Sequence, residues 1–220
     1  SHLAEPLDGP TGRWAAETAT RTGVAIVFGM ALHRGDGLPA NAVVLAEPGR
    51  APRLVQFKVH LAPAAGERFG EADHFSAGPP AIATFVHAGM RFAALVCYDR
   101  RFPESWRAAA RQGADVVLVL VGGPAADAPG LYEAEVRTHA KANAVYALCA
   151  ARHGTEHATG KLQRHDGATL AATPAGTLVL AEGERVFIDI EPEQLRAART
   201  DNPTHRKLRL REQALERAYA

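Results

Sequence analysis

The segment from Phe92 to Val121 constrains the fold of this chain more than any other. An apolar run, FAALV, ends at Cys97, and the chain then turns polar and basic before a helix-forming stretch that begins at Pro103. Proline suits a first helical position because its missing N–H would have no partner there. Gly113 is placed to end that helix, and the unbroken apolar run ADVVLVLV that follows is typical of a strand covered on both faces. The order strand, turn, helix, strand predicts a layered α/β architecture.

The other segments extend this pattern along the 220 residues. Further helices are predicted from Thr11 to a stop at Gly23 and from Leu131 to Asn143. Strands and hairpins are predicted between and after these helices. The predicted strands cover 24–30, 41–46, 53–58 and 185–190, with one more ending near Ala151 and hairpins around Ala88-Gly89 and TPAG. Because no linker or repeat interrupts the chain, we expect one domain over residues 1–220, with a polar C-terminal arm from about residue 192.

Composition excludes several classes of function. Apolar residues make up 47% of the chain and charged residues 22%, which supports a sizeable core. The 25 Lys and Arg nearly balance the 24 Asp and Glu, so nothing predicts binding to nucleic acid or to an anionic membrane. Apolar runs such as VVLVLV are too short to span a bilayer. Two cysteines without a signal peptide favour reduced thiols and a cytoplasmic location.

Cys97 is the candidate for chemistry. A side chain at the abrupt end of a buried strand is held rigidly yet exposed by the following turn, and backbone N–H groups there can stabilise an oxyanion. Arg100 and Arg101 add positive charge, which favours a thiolate. The alternative is a plain buried cysteine, since free cysteine is among the most buried residue types. Cys149, within VYALCAA, fits that alternative better.

Several motifs resemble the carbon–nitrogen hydrolase (nitrilase) superfamily. CYDRRFPE followed by GADVVLV is similar to its nucleophile elbow, C-Y-D-x-R-F-P-E. FKVHLAP is similar to the segment that carries its catalytic lysine, and GERF with FSAG to the loop that follows. GVAIVFG, ANAVVLAEPG and TPAGTLVLAEGERVFIDIEPEQLRAAR match its early core strand, its hairpin and its closing segment. The resemblance covers residues 15 to about 205, in the family's order.

The resemblance implies a fold and a site. The implied fold is a four-layer α-β-β-α sandwich, here expected without its first strand and helix. Cys97 would attack an amide carbon, while Lys58 and the backbone N–H of Tyr98 would stabilise the resulting oxyanion. Glu67 matches the carboxylate that orients the lysine. Neither an organic cofactor nor a metal is implied.

The match is incomplete at the family's general base, a glutamate that ends the first core strand. Glu5 and Glu17 are the only early glutamates, and neither follows an apolar strand. We expect the base either to precede Ser1 in a longer natural chain or to have been lost. His139 and Ala142 also stand where the family commonly has arginine and glutamate.

The sequence therefore predicts a hydrolase of linear, non-peptide amide or carbamoyl C–N bonds that forms a thioester on Cys97. The expected partners are a small amide or carbamoyl substrate and a second copy of the chain, in a homodimer or larger assembly. The alternative is a binding protein that keeps the fold without the base. A Cys97–His60 dyad is a weaker alternative. A metal site at HGTEH, residues 153–157, is weaker still, because a zinc-binding pair at this spacing belongs on a helix and this segment is predicted to be a loop.

Overall fold

The computed structural model describes residues 3–35, 37–63, 70–122, 127–158, 161–166, 169–182 and 184–202. These residues form four α-helices and eleven strands. The helices are α1 (Pro10–Thr22), α2 (Pro103–Arg111), α3 (Leu131–Asn143) and α4 (Pro192–Asp201). The strands are β1 (Ile26–Leu32), β2 (Ala40–Ala46), β3 (Arg53–Phe57), β4 (Thr84–His87), β5 (Met90–Val96), β6 (Val116–Val121), β7 (Tyr146–Ala151), β8 (His153–Ala158), β9 (Lys161–Asp166), β10 (Leu170–Ala172) and β11 (Leu178–Leu180).

The strands form two main sheets and a separate hairpin. The first sheet has the order β1-β2-β3 and is antiparallel throughout. The second has the order β11-β10-β7-β6-β5-β4, and its centre, β5-β6-β7, is parallel. β8 and β9 pair only with each other among the described strands. The parallel centre follows from α2 and α3, which carry the chain back between successive strands.

The packing of apolar side chains shows four layers. Ala15 and Ala19 of α1 pack on Ala46 of the first sheet. The two sheets face each other through a cluster that includes Val43 and Val96. A third cluster joins the other face of the second sheet to α2 and α3; it includes Leu95, Trp106, Val117, Val119 and Val136. The order is therefore helix, sheet, sheet, helices, as the sequence predicted.

β5 shows why the central strands are apolar without alternation. Ala93 and Leu95 lie in the cluster against the helices, whereas Ala94 and Val96 lie in the cluster between the sheets. Both faces of the strand are covered from Ala93 to Val96, so these four side chains are removed from water. β5 ends at Val96, and the polar elbow that follows it contains the buried side chains of Asp99 and Arg100.

The predicted strand at 185–190 is wrong. Residues 186–190 are not part of a strand, although Ile188 and Ile190 pack against the cluster of Val116 and Tyr146. Phe187 is 82% exposed. The alternation of apolar and polar residues in 185–190 arises because one face of this segment packs on the core. Such packing produces the pattern of a strand even where no neighbouring strand forms hydrogen bonds with the segment.

The predicted C-terminal arm is only partly described. Its first residues form α4, which packs on its own chain through the buried Leu195. Arg199 also lies 2.9 Å from Asp115 and donates to the carbonyl of Ala114. Residues 203–220 lie outside the described residues, so a contact of the arm with a neighbour stays a prediction. Within the described residues, no helix combines the length and hydropathy that crossing a bilayer requires.

Gly78 provides a test of how tightly the chain is packed beside β3. Its N–H donates to the carbonyl of Lys58 at 2.8 Å, and a Cβ at this position would overlap the Cβ of Phe57. We expect Gly78→Ala to lower the free energy of unfolding by about 1–3 kcal/mol, because the backbone must shift to admit the methyl group. Urea denaturation measures the change.

Gly37→Ala is the matched control, since a Cβ there would meet no atom within 4 Å. Its free energy of unfolding should stay within about 0.5 kcal/mol of the parent. Equal stability of the two variants would contradict the close packing of Gly78 against β3.

Candidate active site

Cys97 lies where β5 ends and a short 3₁₀ helix, Cys97–Arg101, begins. Its φ is 48°, in the left-handed region that non-glycine residues rarely adopt. Holding a residue there costs about 1–3 kcal/mol, and such strain persists where the surrounding structure imposes it. The side chain is partly exposed. A rigid, strained and accessible thiol is the geometry expected of a nucleophile on a tight turn.

Cys149 has a different environment. It lies in β7 and is buried against the helices. Burial raises the pKa of its thiol to about 12, although the nearby Tyr132 hydroxyl and the charge of Arg100 oppose the rise. Cys149 therefore stays protonated at neutral pH, and the sequence-based contrast between the two cysteines is consistent with their burial.

Lys58 follows β3 directly and is only 1% exposed. Its backbone is held on both sides: its N–H donates to the carbonyl of Asn41 at 2.8 Å, and its carbonyl accepts the N–H of Gly78 at 2.8 Å. A lysine buried to this degree is rare unless its ammonium is paired. Lys58 is therefore a buried lysine with a fixed backbone, and not an exposed lysine at the end of a strand.

The partner of Lys58 is Glu71, which sequence reasoning did not name. Lys58 Nζ donates to Glu71 Oε2, and the same oxygen accepts the N–H of Ala62 at 2.6 Å. Glu67 lies outside the described residues, so its predicted role stays a prediction. Both acids occur in GERFGEADHF, four residues apart. The only signal for Glu71 was its presence in this segment, and spacing alone does not choose between the two.

The carboxylate of Asp99 joins the two chain segments that carry Lys58 and Cys97. Asp99 is fully buried. Its oxygens accept the N–H of Val96 at 3.2 Å, just before the nucleophile, and those of Val59 at 3.4 Å and His60 at 2.7 Å, just after the lysine. Hydrogen bonds to an ionised carboxylate are among the stronger ones in proteins. These bonds hold the segments that follow Lys58 and precede Cys97 on one carboxylate, and the joint catalytic role of Lys58 and Cys97 stays a prediction.

His60 has a structural contact in this region. Its Nδ1 lies 2.9 Å from Asp99 Oδ1, and its ring stacks on Phe102 with the ring centroids 3.7 Å apart. Phe102 also meets the edge of Tyr98. These contacts account for His60 without a Cys97–His60 dyad. The predicted oxyanion contact of the Tyr98 N–H stays a prediction.

The prediction that Arg100 and Arg101 add positive charge near Cys97 is wrong, because acidic side chains pair with both arginines. Arg100 donates to Asp127 and Glu135, and Arg101 donates to Asp127. Burial alone would raise the pKa of Asp127, but its bond to Arg100 keeps that pKa below the ordinary value. Burial raises the pKa of Glu135, against the opposing charge of Arg100. The sequence could not show this, since Asp127 and Glu135 are distant in the chain.

The early glutamates do not supply the missing base. Both oxygens of Glu5 accept hydrogen bonds from Thr11, at 2.8 Å from its N–H and 2.9 Å from its hydroxyl, at the start of α1. The bond from the Thr11 backbone lowers the pKa of Glu5, as a helix N-terminus does for a carboxylate. Glu17 is exposed on α1. Glu5 serves as a cap for the helix.

His139 and the HGTEH segment were also singled out in the sequence, and both have defined surroundings in the structure. His139 stacks on Trp106 at 5.1 Å between α2 and α3, and burial lowers its pKa. The HGTEH segment forms most of β8, so its prediction as a loop is wrong; it pairs with β9 residue for residue. Across the ranges that the structure describes, no cluster of three or more His, Cys, Asp or Glu side chains could hold a metal ion.

Comparison of the sequence with known proteins finds matches along most of the chain. The sequence pattern of the carbon–nitrogen hydrolase family matches residues 1–199. Hydrolase Rv0480c of Mycobacterium tuberculosis is 31% identical over 90% of this chain and 74% of its own length. An (R)-stereoselective amidase of a Pseudomonas species is 30% identical over 91% of this chain and 70% of its own.

The fold agrees as well. The crystal structure of XC1258 from Xanthomonas campestris, described as a CN-hydrolase superfamily protein with an arsenic adduct in its active site, superimposes with a TM-score of 0.76 at 27% identity. The superposition covers 93% of this chain and 76% of that one. The family pattern over residues 1–199 and the two-sheet sandwich define the class as a carbon–nitrogen hydrolase fold. This chain belongs to the carbon–nitrogen hydrolase family.

Replacing Asp99 tests whether its carboxylate holds the site together. In Asp99→Asn one oxygen becomes an NH₂ group, which cannot accept the buried N–H groups that now bind there. We expect a loss of about 1–3 kcal/mol in the free energy of unfolding. We also expect slower alkylation of Cys97 by iodoacetamide, followed by mass spectrometry of the Cys97 peptide.

Asp115→Asn is the control, because Asp115 also accepts a backbone N–H, that of Arg91 at 2.8 Å, but at the opposite end of β5. It should lose stability without slowing alkylation of Cys97. An unchanged alkylation rate in Asp99→Asn would show that the carboxylate does not position the nucleophile.

Proposed function

We propose that this protein hydrolyses linear, non-peptide amide or carbamoyl C–N bonds through a thioester on Cys97. The observation that carries the proposal is the joint placement of a strained, accessible Cys97 and a fully buried Lys58 by the single carboxylate of Asp99. Family membership and similarity to an amidase agree with this class of reaction.

The proposed first step forms a C–S bond. The Cys97 thiolate attacks the carbonyl carbon, and the π electrons move onto oxygen to give a tetrahedral oxyanion. The Lys58 ammonium, held by Glu71, and the N–H of Tyr98 supply positive charge where this negative charge develops. The oxyanion then collapses, the C–N bond breaks, and the nitrogen leaves as ammonia or an amine after it receives a proton.

The second step regenerates the enzyme. Water attacks the thioester carbon, the C–S bond breaks, and Cys97 leaves as the thiolate while the acyl group departs as an acid. A carboxyl group must shuttle the protons of both steps. Glu71 already binds Lys58 and Ala62, and Glu5 caps α1, so neither is free to serve as that shuttle without breaking these bonds. Glu67 remains a candidate.

The alternative function is a binding protein that retains the fold and a reactive thiol. The observation that favours it is the commitment of Glu5 to helix capping, which leaves the general base unassigned among the described residues. Ammonia release from glutarate monoamide, an N-carbamoyl amino acid and a simple aliphatic amide decides between the two. The assay should compare this 220-residue chain with the product of its complete gene.

Each result of that assay has one reading. Turnover by the 220-residue chain supports the hydrolase with a base inside this sequence. Turnover only by the complete gene product supports the hydrolase and places the base outside it. No turnover by either, with Cys97 still reactive, supports the binding protein.

We also propose a homodimer or larger assembly in the cytoplasm, which sedimentation equilibrium and cell fractionation would test.

Cys97→Ala provides the direct test of the nucleophile. We expect this variant to lose all turnover and all labelling by iodoacetamide under native conditions. Cys149→Ala should keep both, because the Cys149 thiol has a pKa of about 12 and is buried. Activity and intact-mass measurements on both variants check this. Equal labelling of the two variants would remove the case for an activated Cys97.

A further inference from the structure

A compact cluster of charged side chains lies beside the elbow. Its members are Arg100, Asp127, Tyr132 and Glu135. Arg100 is 5% exposed and donates one guanidinium nitrogen to Asp127 and another to Glu135. Its guanidinium carbon lies 4.6 Å from the centre of the Tyr132 ring. With Arg101 bound to Asp127 as well, two cations face two carboxylates, so the cluster is balanced in charge.

The cluster is incomplete in its hydrogen bonds. Arg100 Nε and Glu135 Oε1 are buried and have no hydrogen-bond partner among the described atoms. The Tyr132 hydroxyl is buried too, and its described interaction is with the thiol of Cys149, a weak acceptor. Buried polar atoms are nearly always satisfied, and three unsatisfied ones in a single cluster mark a place where a ligand or an ordered water completes the bonding.

The cluster is close to the nucleophile. Arg100 belongs to the same five-residue 3₁₀ helix that begins at Cys97. The pKa of Tyr132 is raised, chiefly by burial, and the charge of Cys97 is among the further causes. Because Arg100 follows Cys97 by three residues in that helix, the cluster and the nucleophile lie on neighbouring parts of the elbow.

We propose that Arg100, Tyr132 and Glu135 form the subsite for the acyl group, and that this group carries an N–H or ammonium donor and no carboxylate. The inference rests on the proposed function. Glu135 Oε1 is the open acceptor for the donor of the substrate. Arg100 Nε and the Tyr132 hydroxyl offer donors to a neutral acceptor such as a carbonyl oxygen. Amides of amino acids are a substrate class with this chemistry.

Charge balance is the reason for excluding a carboxylate. Arg100 and Arg101 would attract an anionic acyl group if they were unpaired, but Asp127 and Glu135 already bind them. A substrate carboxylate would have to displace a bound carboxylate or lie close to it, and like charges in a partly buried site repel each other. A cationic or neutral donor meets no such cost.

The rate at which charged thiol reagents modify Cys97 tests the subsite without requiring turnover. The probes are 2-aminoethyl methanethiosulfonate, which is cationic, and 2-sulfonatoethyl methanethiosulfonate, which is anionic. Each transfers its substituted thiol to the cysteine thiolate with loss of methanesulfinate, so a mixed disulfide forms. The rates at Cys97 are measured by peptide mass spectrometry and divided by the rates for N-acetylcysteine.

We expect the normalised rate to be higher for the cationic probe. In Glu135→Gln the ratio of cationic to anionic rates should fall by about tenfold, because one of the two negative charges is lost. Glu133→Gln changes the same charge two residues away on α3, and its ratio should equal that of the parent. If Glu135→Gln does not fold, Asp127→Asn replaces it, and the ratio of cationic to anionic rates should fall in that variant as well.

Preference of the parent protein for the anionic probe, or an unchanged ratio in a folded Glu135→Gln variant, would overturn the subsite. If Cys97 reacts with both probes no faster than N-acetylcysteine or Cys149, the proposed function fails, because the thiol is then not activated. A reactive Cys97 without charge discrimination leaves the proposed function standing and refutes the subsite alone.

Discussion

The candidate site depends on the four donors that the buried carboxylate of Asp99 collects. One, the N–H of Val96, belongs to the end of β5, and the others belong to Val59 and to the backbone and ring of His60, just beyond β3. β5 and β3 lie in different sheets, so one side chain fastens the two sheets at the edge where the nucleophile and the lysine emerge. A buried carboxylate is costly unless its lone pairs are filled, and filling them here is what aligns the two segments.

The architecture explains why this edge is available for chemistry. β5 and β6 are apolar on both faces because one face meets the first sheet and the other meets α2 and α3. Where β5 passes beyond that double cover, the backbone turns sharply at Cys97, with a positive φ. The strain of that turn is maintained by the packing of the strand before it and of α2 after it. Lys58 arrives from the other sheet and is buried in the same region, fixed by backbone bonds to Asn41 and Gly78.

Charge compensation runs through the whole site. Lys58 is paired with Glu71, and the two arginines of the elbow are paired with Asp127 and Glu135. Each of these three cations is therefore met by a carboxylate, while Arg100 Nε and Glu135 Oε1 have no hydrogen-bond partner among the described atoms. Under the proposed function, such a site would favour neutral or donor-bearing groups over anions, and the reactivity of Cys97 would depend on Lys58, local N–H groups and strain instead of on a general positive field.

The sequence by itself determined the layered α/β class, the positions of most helices and strands, and the identity of Cys97 and Lys58 as candidates. These features can be predicted because each depends on a short stretch of sequence: an apolar run, a proline or glycine at a helix end, or a motif of a few residues. The extended segment 186–190 escaped this reasoning because its alternation reports burial of one face and not the presence of a neighbouring strand. Glu71 escaped because two glutamates in one segment cannot be distinguished until the chain folds back on Lys58. The neutralisation of Arg100 and Arg101 was decided only in the tertiary structure, since the carboxylates that cancel their charge come from residues 26 to 35 positions further along the chain.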